Sequence, residues 1–262
     1  MEILTKLTPA EVHLIREHKD VEFRDLLKYT FTDLLLKKVI RLDEEEKQSN
    51  PRSPVRILTY VSKGENFDEY KARPHETPFL EPFVKSPDLA IIIRHYIRMC
   101  YEETNPFRKY VFKMLLENTK PMIAINSGFL YHIFSLIRLT KEGKGTKRMI
   151  DSAINDLEKR VPELMESDPA AAFEILHKIQ GNIYFLRTID FEVLRKIDKE
   201  MTREENRSFD TGTFGCAGCF VYFDTYADSF DSGYDSSGAG GDSGGCSSCS
   251  GCSGCGGCGG CS

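Results

Sequence analysis

Before Cys216 this 262-residue chain has a single cysteine, Cys100, so no disulfide framework holds its larger part together. Surplus charge is missing there too: the residues ahead of Glu204 sum to about +2, too little for a strongly basic nucleic-acid binder. No apolar run is long enough to cross a bilayer, Leu89-Ala90-Ile91-Ile92-Ile93 being typical of the longest, so no transmembrane segment is expected. The opening Met1-Glu2-Ile3-Leu4-Thr5-Lys6-Leu7 lacks a basic region followed by an apolar stretch, so no export signal is read and the default compartment is cytoplasmic. HExxH and a serine–histidine pair are absent, which removes two common local signatures of hydrolases and favours a non-enzymatic protein.

What the chain does have is gathered at its C-terminal end. Fifteen of the 20 glycines and eight of the nine cysteines lie at or after Gly212. From Glu204 onward there are eight acidic residues and one basic, Arg207, so this stretch carries about −7 and repels phosphate. Cys246, Cys249, Cys252, Cys255, Cys258 and Cys261 recur at every third position among glycine and serine, and Cys216-Ala217-Gly218-Cys219 adds a separate CxxC. This acidic, Gly/Ser/Cys-rich tail, 204–262, is expected to be disordered, with almost no apolar residues to bury between Gly238 and Ser262.

In a reducing compartment such thiols bind metal or do redox chemistry more often than they form disulfides. Eight thiolates would complete two four-sulfur sites, and their softness favours zinc, cuprous copper or an iron–sulfur cluster over hard cations. Each adjacent pair in the repeat is equivalent to the next, so several ions in exchanging arrangements are expected rather than one rigid site. Two other readings stay open: a precursor or carrier whose Cys- and Ser-rich tail is altered by a modifying enzyme, and a protein-interaction module with an inert tail. A redox array is disfavoured, since nothing cationic neighbours the repeat to acidify a thiol.

The rest reads as mainly α: a winged-helix-like unit over 1–65, a helical domain over 78–203, and the acidic Gly/Ser/Cys-rich tail over 204–262. Thr8-Pro9-Ala10-Glu11 predicts an N-cap, a proline at the first helical position and a capping box, opening a helix to about His18. Phe23, Leu26, Leu27, Phe31, Leu34 and Leu35 give a helical stripe within Val21 to Lys38. Val39 to Leu42 and Val55 to Val61 read as paired strands around a polar loop, 43–53. Further helices are predicted from Ser86-Pro87-Asp88 to Cys100, from Asn105-Pro106, over 129–139, 147–165, 170–186 and 191–201, with Asp168-Pro169 as a firm boundary.

Helix, helix, strand, turn, strand is a winged-helix outline, but Asp43-Glu44-Glu45-Glu46 would sit at the tip of the wing. Four acids there oppose a phosphate backbone, so a structural or protein-contact role is expected instead of DNA binding. Leu7-Thr8-Pro9-Ala10-Glu11, the helix end at Leu36-Lys37-Lys38-Val39-Ile40-Arg41-Leu42-Asp43 and the Gly/Cys repeat resemble an uncharacterised bacterial family that pairs an N-terminal helical domain with low-complexity ends. The resemblance implies organisation and bacterial origin but no reaction. The same N-terminal residues are more faintly similar to Golgi phosphoprotein-type helical lipid-binding proteins, which leaves peripheral lipid contact open.

The body offers few other candidates. His13 and His18 are five apart and share no helix face, as are His95 and Cys100; Cys100 is expected to be a buried small hydrophobe. His75, in Pro74-His75-Glu76, is expected to be a surface histidine. Lys141-Glu142-Gly143-Lys144-Gly145 lacks phosphate-loop spacing and reads as a solvated helix–helix turn, able at most to hold an anion or lipid headgroup with Lys147 and Arg148. The aromatic segment 220–226 suggests either a strand that docks on the body or a sticky patch in a linker, with Phe230 and Tyr234 continuing the aromatics.

Overall fold

The computed structural model describes residues 1–18, 20–48, 55–104, 109–115, 122–125, 137–187 and 223–237. Among these the fold is mainly helical, with eight α-helices, a three-stranded antiparallel sheet and a two-stranded one. The short helix α1 (Glu2–Lys6) leads into α2 (Pro9–Glu17). The capping box read from the sequence is present: the Thr8 amide donates to the Glu11 carboxylate at 2.7 Å, and the Glu11 amide donates to Thr8 Oγ1 at 3.4 Å. Every residue from Pro9 to Ile15 is buried, so α2 is a central helix rather than one with a single apolar side.

α3 (Phe23–Leu36) buries Leu26, Leu27, Phe31, Leu34 and Leu35, the stripe its spacing predicts. It ends where Lys38 turns left-handed (φ 53°), with the Val39 amide donating to Leu34 O at 2.9 Å, a Schellman-type closure. Gly64 lies against this end; its amide donates to Val39 O at 2.9 Å, and a Cβ there would stand 2.1 Å from Lys38 O.

The sheet order is β1 (Ile40–Lys47), β2 (Arg56–Lys63), β3 (Ile91–Ile92). β1 runs further than the sequence suggested. Asp43 to Glu46 are not a loop tip but pair in register with Tyr60 to Ile57 of β2. The β-prone Arg56–Lys63 recruits the acidic stretch as its partner: Asp43 accepts from Ser62 Oγ and Arg41, and Lys47 bridges Glu45 and Tyr60.

α4 (Thr77–Lys85), with Pro82 inside it, was not read from the sequence. The next helix starts later than Ser86-Pro87-Asp88 implied, because Ile91 and Ile92 pair with Val61 and Tyr60 as β3 before α5 (Ile93–Thr104) begins. The stretch after Asn105-Pro106 is described only from Lys109, where Tyr110–Leu115 form a π-helical turn. β4 (Ile123–Ile125) pairs with β5 (Ile137–Leu139), so the end of the predicted 129–139 helix is a strand. Thr140 then caps α6 (Lys141–Ser167), accepting from the Gly143 amide at 3.0 Å; Lys141 to Gly145 are its first turns, not a loop. Asp168 ends α6 and caps α7 (Pro169–Ile179), accepting from the Ala171 amide at 3.1 Å. The predicted 170–186 helix breaks at Gln180 (φ 49°) into a 3-10 segment, Gln180–Phe185. The predicted 191–201 helix lies outside the described residues.

α8 (Phe223–Ser237) falls inside the stretch expected to be disordered. It lies on α5 and α3, with Phe230 and Tyr234 buried in the same core as Phe31, Tyr96 and Ile97. Gly233 permits the approach, since a Cβ there would stand 2.5 Å from Ile97 Cδ1. Phe230 and Tyr234 are thus anchors of a helix, not aromatics in a linker.

Candidate functional site

The thiols singled out by the sequence, Cys216, Cys219, Cys246, Cys249, Cys252, Cys255, Cys258 and Cys261, lie outside the described residues. The described cysteine, Cys100, is 1% exposed and its thiol pKa is pushed up by burial, as a small hydrophobe in the core would be. Among the described residues no three His, Cys, Asp or Glu side chains gather in a way that could hold a metal ion. No helix among them is long and apolar enough to cross a membrane.

α8 precedes the cysteine repeat in the sequence. Phe230 is 1% exposed, its ring 5.5 Å from that of Phe31 and 5.9 Å from that of Tyr234, which in turn meets Tyr101 edge-on at 5.9 Å. Asp231 pairs with Arg24 at 3.0 Å and with Lys28, Asp235 pairs with Arg24 at 3.2 Å, and the Arg24 guanidinium lies 5.1 Å from the Tyr234 ring centre. The Arg24 pKa is raised, Asp231 and Asp235 outweighing the opposing effect of burial. Part of the tail's negative charge is thereby spent on a basic strip of α3.

A buried polar cluster joins α2, α3, the segment 70–76 and the 3-10 turn. Lys37 Nζ donates to Asp33 at 2.6 Å and to Tyr70 Oη at 3.2 Å, and Tyr70 Oη donates to Glu76 at 2.9 Å. Burial would discharge Lys37, but Asp33, Tyr70 and Glu76 outweigh it and raise its pKa; burial raises that of Glu76 against the opposing pull of Lys37. Arg73 pairs with the buried Glu11 and donates to Lys6 O at 2.9 Å. Asp33 also accepts from the Gly181 amide at 3.2 Å, and Asn182 donates to Leu4 O and Leu7 O at 2.6 and 2.8 Å.

His75 is not on the surface: it is 1% exposed, with Nε2 3.2 Å from Thr8 Oγ1. Burial first, then Arg73 and Lys37, push its pKa down to about 3, so the ring is neutral. A hydroxyl beside a neutral imidazole is the geometry of a nucleophile and its base. Here Thr8 is 4% exposed and its hydroxyl accepts from the Glu11 amide, serving as a helix cap. The adjoining cavity, lined in part by Thr8, Lys37, Arg73, Lys178 and Asn182, measures about 90 Å³, room for about three waters. The cluster ties α2, α3, the segment 70–76 and the 3-10 turn together. His13 is likewise buried, 3.6 Å from Asp25 and with its ring tilted against that of Tyr29 at 4.8 Å, and its pKa is lowered by burial.

A larger opening of about 480 Å³ lies between β2, the start of α5 and α8, lined by Ile57, Thr59, Ile92, Ile93, Arg94 and Asp228 among others. Sequence reading missed it because its walls come from three distant segments. No known family model matches the chain, and no curated protein or solved structure matches it either.

Proposed function

We propose that this chain is a non-enzymatic carrier whose folded body holds a thiol-rich segment that binds soft metal ions, zinc or cuprous copper, through thiolates. The observation that carries this reading is the run of CxxC spacings, eight cysteines in all, that brackets and follows a helix anchored on the body. Cys219 precedes Phe223 by four positions and Cys246 follows Ser237 by nine, so the two thiol groups flank α8 in the sequence. Softness of the ligands and glycine between them suit several four-thiolate arrangements in exchange. Residues 1–65 are read as a winged-helix-like unit whose acidic β1 suits contact with protein rather than nucleic acid.

The test is titration of the reduced, metal-free protein with Zn²⁺ and Cu⁺ against a variant lacking residues 246–262 and one with Cys216 and Cys219 changed to serine. Binding of ions by the full chain, reduced in the serine variant and largely lost on truncation, is the expected result. Equal metal content in full and truncated chains would end the proposal. An intact mass from the native host that differs from the encoded one by dehydration or cleavage would instead favour the modified-precursor reading.

A further inference from the structure

β2 is paired along its whole length on one side only. β1 covers it from Arg56 to Lys63, whereas β3 meets just Val61 and Tyr60 on the other side. Among the described residues, Arg56 to Thr59 therefore present an unpaired strand edge, whose amide and carbonyl groups are a template for another strand. The 480 Å³ groove opens at this same edge, with Ile57, Leu58, Ile92 and Ile93 among its lining residues. Ile57 is 61% exposed, a large apolar side chain left beside an open edge.

Acids outnumber bases around the groove, where Glu44, Glu46 and Asp228 face Arg94 and the edge residue Arg56. Side chains alternate across a strand, so Ile57 and Thr59 share a face with their cross-strand partners Glu46 and Glu44, and with Val61 in the core. Glu44 and Glu46 are exposed, while Asp43 and Glu45 on the opposite face are matched by Arg41 and Lys47. α8 adds Asp228 to the groove wall, and Arg94 is the cation among its lining residues. A strand laid beside β2 would stand about 9.5 Å from β1, within reach of a lysine or arginine extending over Thr59 toward Glu44 and Glu46.

We propose that the Arg56–Thr59 edge of β2 and the groove beside it bind an extended peptide segment of a partner protein that carries apolar residues flanked by basic ones. The segment adds antiparallel to β2 in line with β3, its apolar side chains entering the groove toward Ile92 and Ile93 and its basic ones meeting Glu44, Glu46 and Asp228. The thiols take no part, so this site and the metal-binding reading stand or fall separately.

The probe is a fluorescein-labelled heptapeptide with a Val-Ile-Val centre and two lysines at each end, titrated by anisotropy into the full reduced chain. Saturable binding is expected, at least tenfold weaker for the same peptide with glutamates in place of the lysines. The exposed double variant Glu44→Lys, Glu46→Lys should weaken the lysine peptide at least tenfold and strengthen the glutamate one. N-methylation of alternate peptide amides should abolish binding, because a strand needs those donors. Equal affinity for the two peptides, indifference to N-methylation, or no saturation at millimolar protein would overturn the proposal. So would a dimer in sedimentation that Ile57→Lys dissolves, since the edge would then belong to a second copy of the chain.

Discussion

Replacing Phe230 by alanine tests whether α8 is held by the body or forms by itself. Apart from Ala227, its fifteen residues are aspartate, serine, threonine, glycine and aromatics. At ~0.5 kcal/mol each relative to alanine, and ~1 for Gly233, the sequence is about 7.5 kcal/mol less helical than polyalanine. A helix of this length and composition does not persist alone, so contacts with α3 and α5 must supply its stability. The Asp231 pairs with Arg24 and Lys28 are about one-third exposed, and each adds about 1 kcal/mol at most. Phe230, 1% exposed and stacked among Phe31 and Tyr234, is the larger contribution: truncating a buried phenylalanine costs about 3–5 kcal/mol. Phe230→Ala should therefore release α8 locally without unfolding the rest. Hydrogen exchange read by mass spectrometry should show protection over 223–237 falling about 100-fold or more, while α2 and the middle of α3 keep theirs. Asp231→Asn should produce a smaller loss that diminishes with added salt. Unchanged exchange over 223–237 in the phenylalanine variant would refute the reasoning, because α8 would then owe nothing to its anchor.

Three further outcomes follow from the body. Gly64→Ala forces a Cβ to within 2.1 Å of Lys38 O, backbone that cannot swing aside, and should lower the denaturant-derived stability by about 1–3 kcal/mol. Lys37→Met leaves Asp33 and Glu76, 2% and 1% exposed, without their shared cation, and a loss of about 3–5 kcal/mol is expected in the same assay. His75 titrates near 6.5 when unfolded and near 3 when folded, so the unfolded chain binds the extra proton between these values. Its contribution is complete above pH 6.5 and is lost as pH falls toward 3, amounting to about 2 kcal/mol by pH 5. Denaturation curves at pH 7 and 5 should show that slope, and His75→Asn, whatever its effect at pH 7, should flatten it.

How much of this was legible in the chain depends on the range of the interaction concerned. The capping box at Thr8 and Glu11, the apolar stripe of α3 and the Asp168-Pro169 boundary are local, decided by neighbours within four positions, and each is present in the structure. The same locality misled at Lys141 to Gly145, where two glycines suggested a turn but the Thr140 cap starts a long helix. The acidic end of β1, Asp43 to Glu46, and the aspartate- and serine-rich α8 have poor intrinsic propensity for the structures they adopt, and no local pattern announces them. β1 is a strand because β2 pairs with it residue for residue, and α8 is a helix because Phe230 and Tyr234 find Phe31 and Tyr101. His75 looked like a surface residue because its burial comes from partners such as Thr8, 67 positions away.

By itself, then, the sequence determined the mainly helical class, the starts of α2 and α7, and the segregation of its thiols at one end, all of which rest on composition or on contacts a few residues long. Tertiary structure alone decided where α8 lies, that the buried Glu11, Asp33 and Glu76 pair with Arg73 and Lys37, and that among the described residues β2 keeps an open edge beside a groove. The reason is that these features join segments tens to hundreds of positions apart, as in the Asp33 carboxylate that caps Gly181 across 148 residues. Burial and charge pairing at such separations are set by the packed core, not by neighbours along the chain.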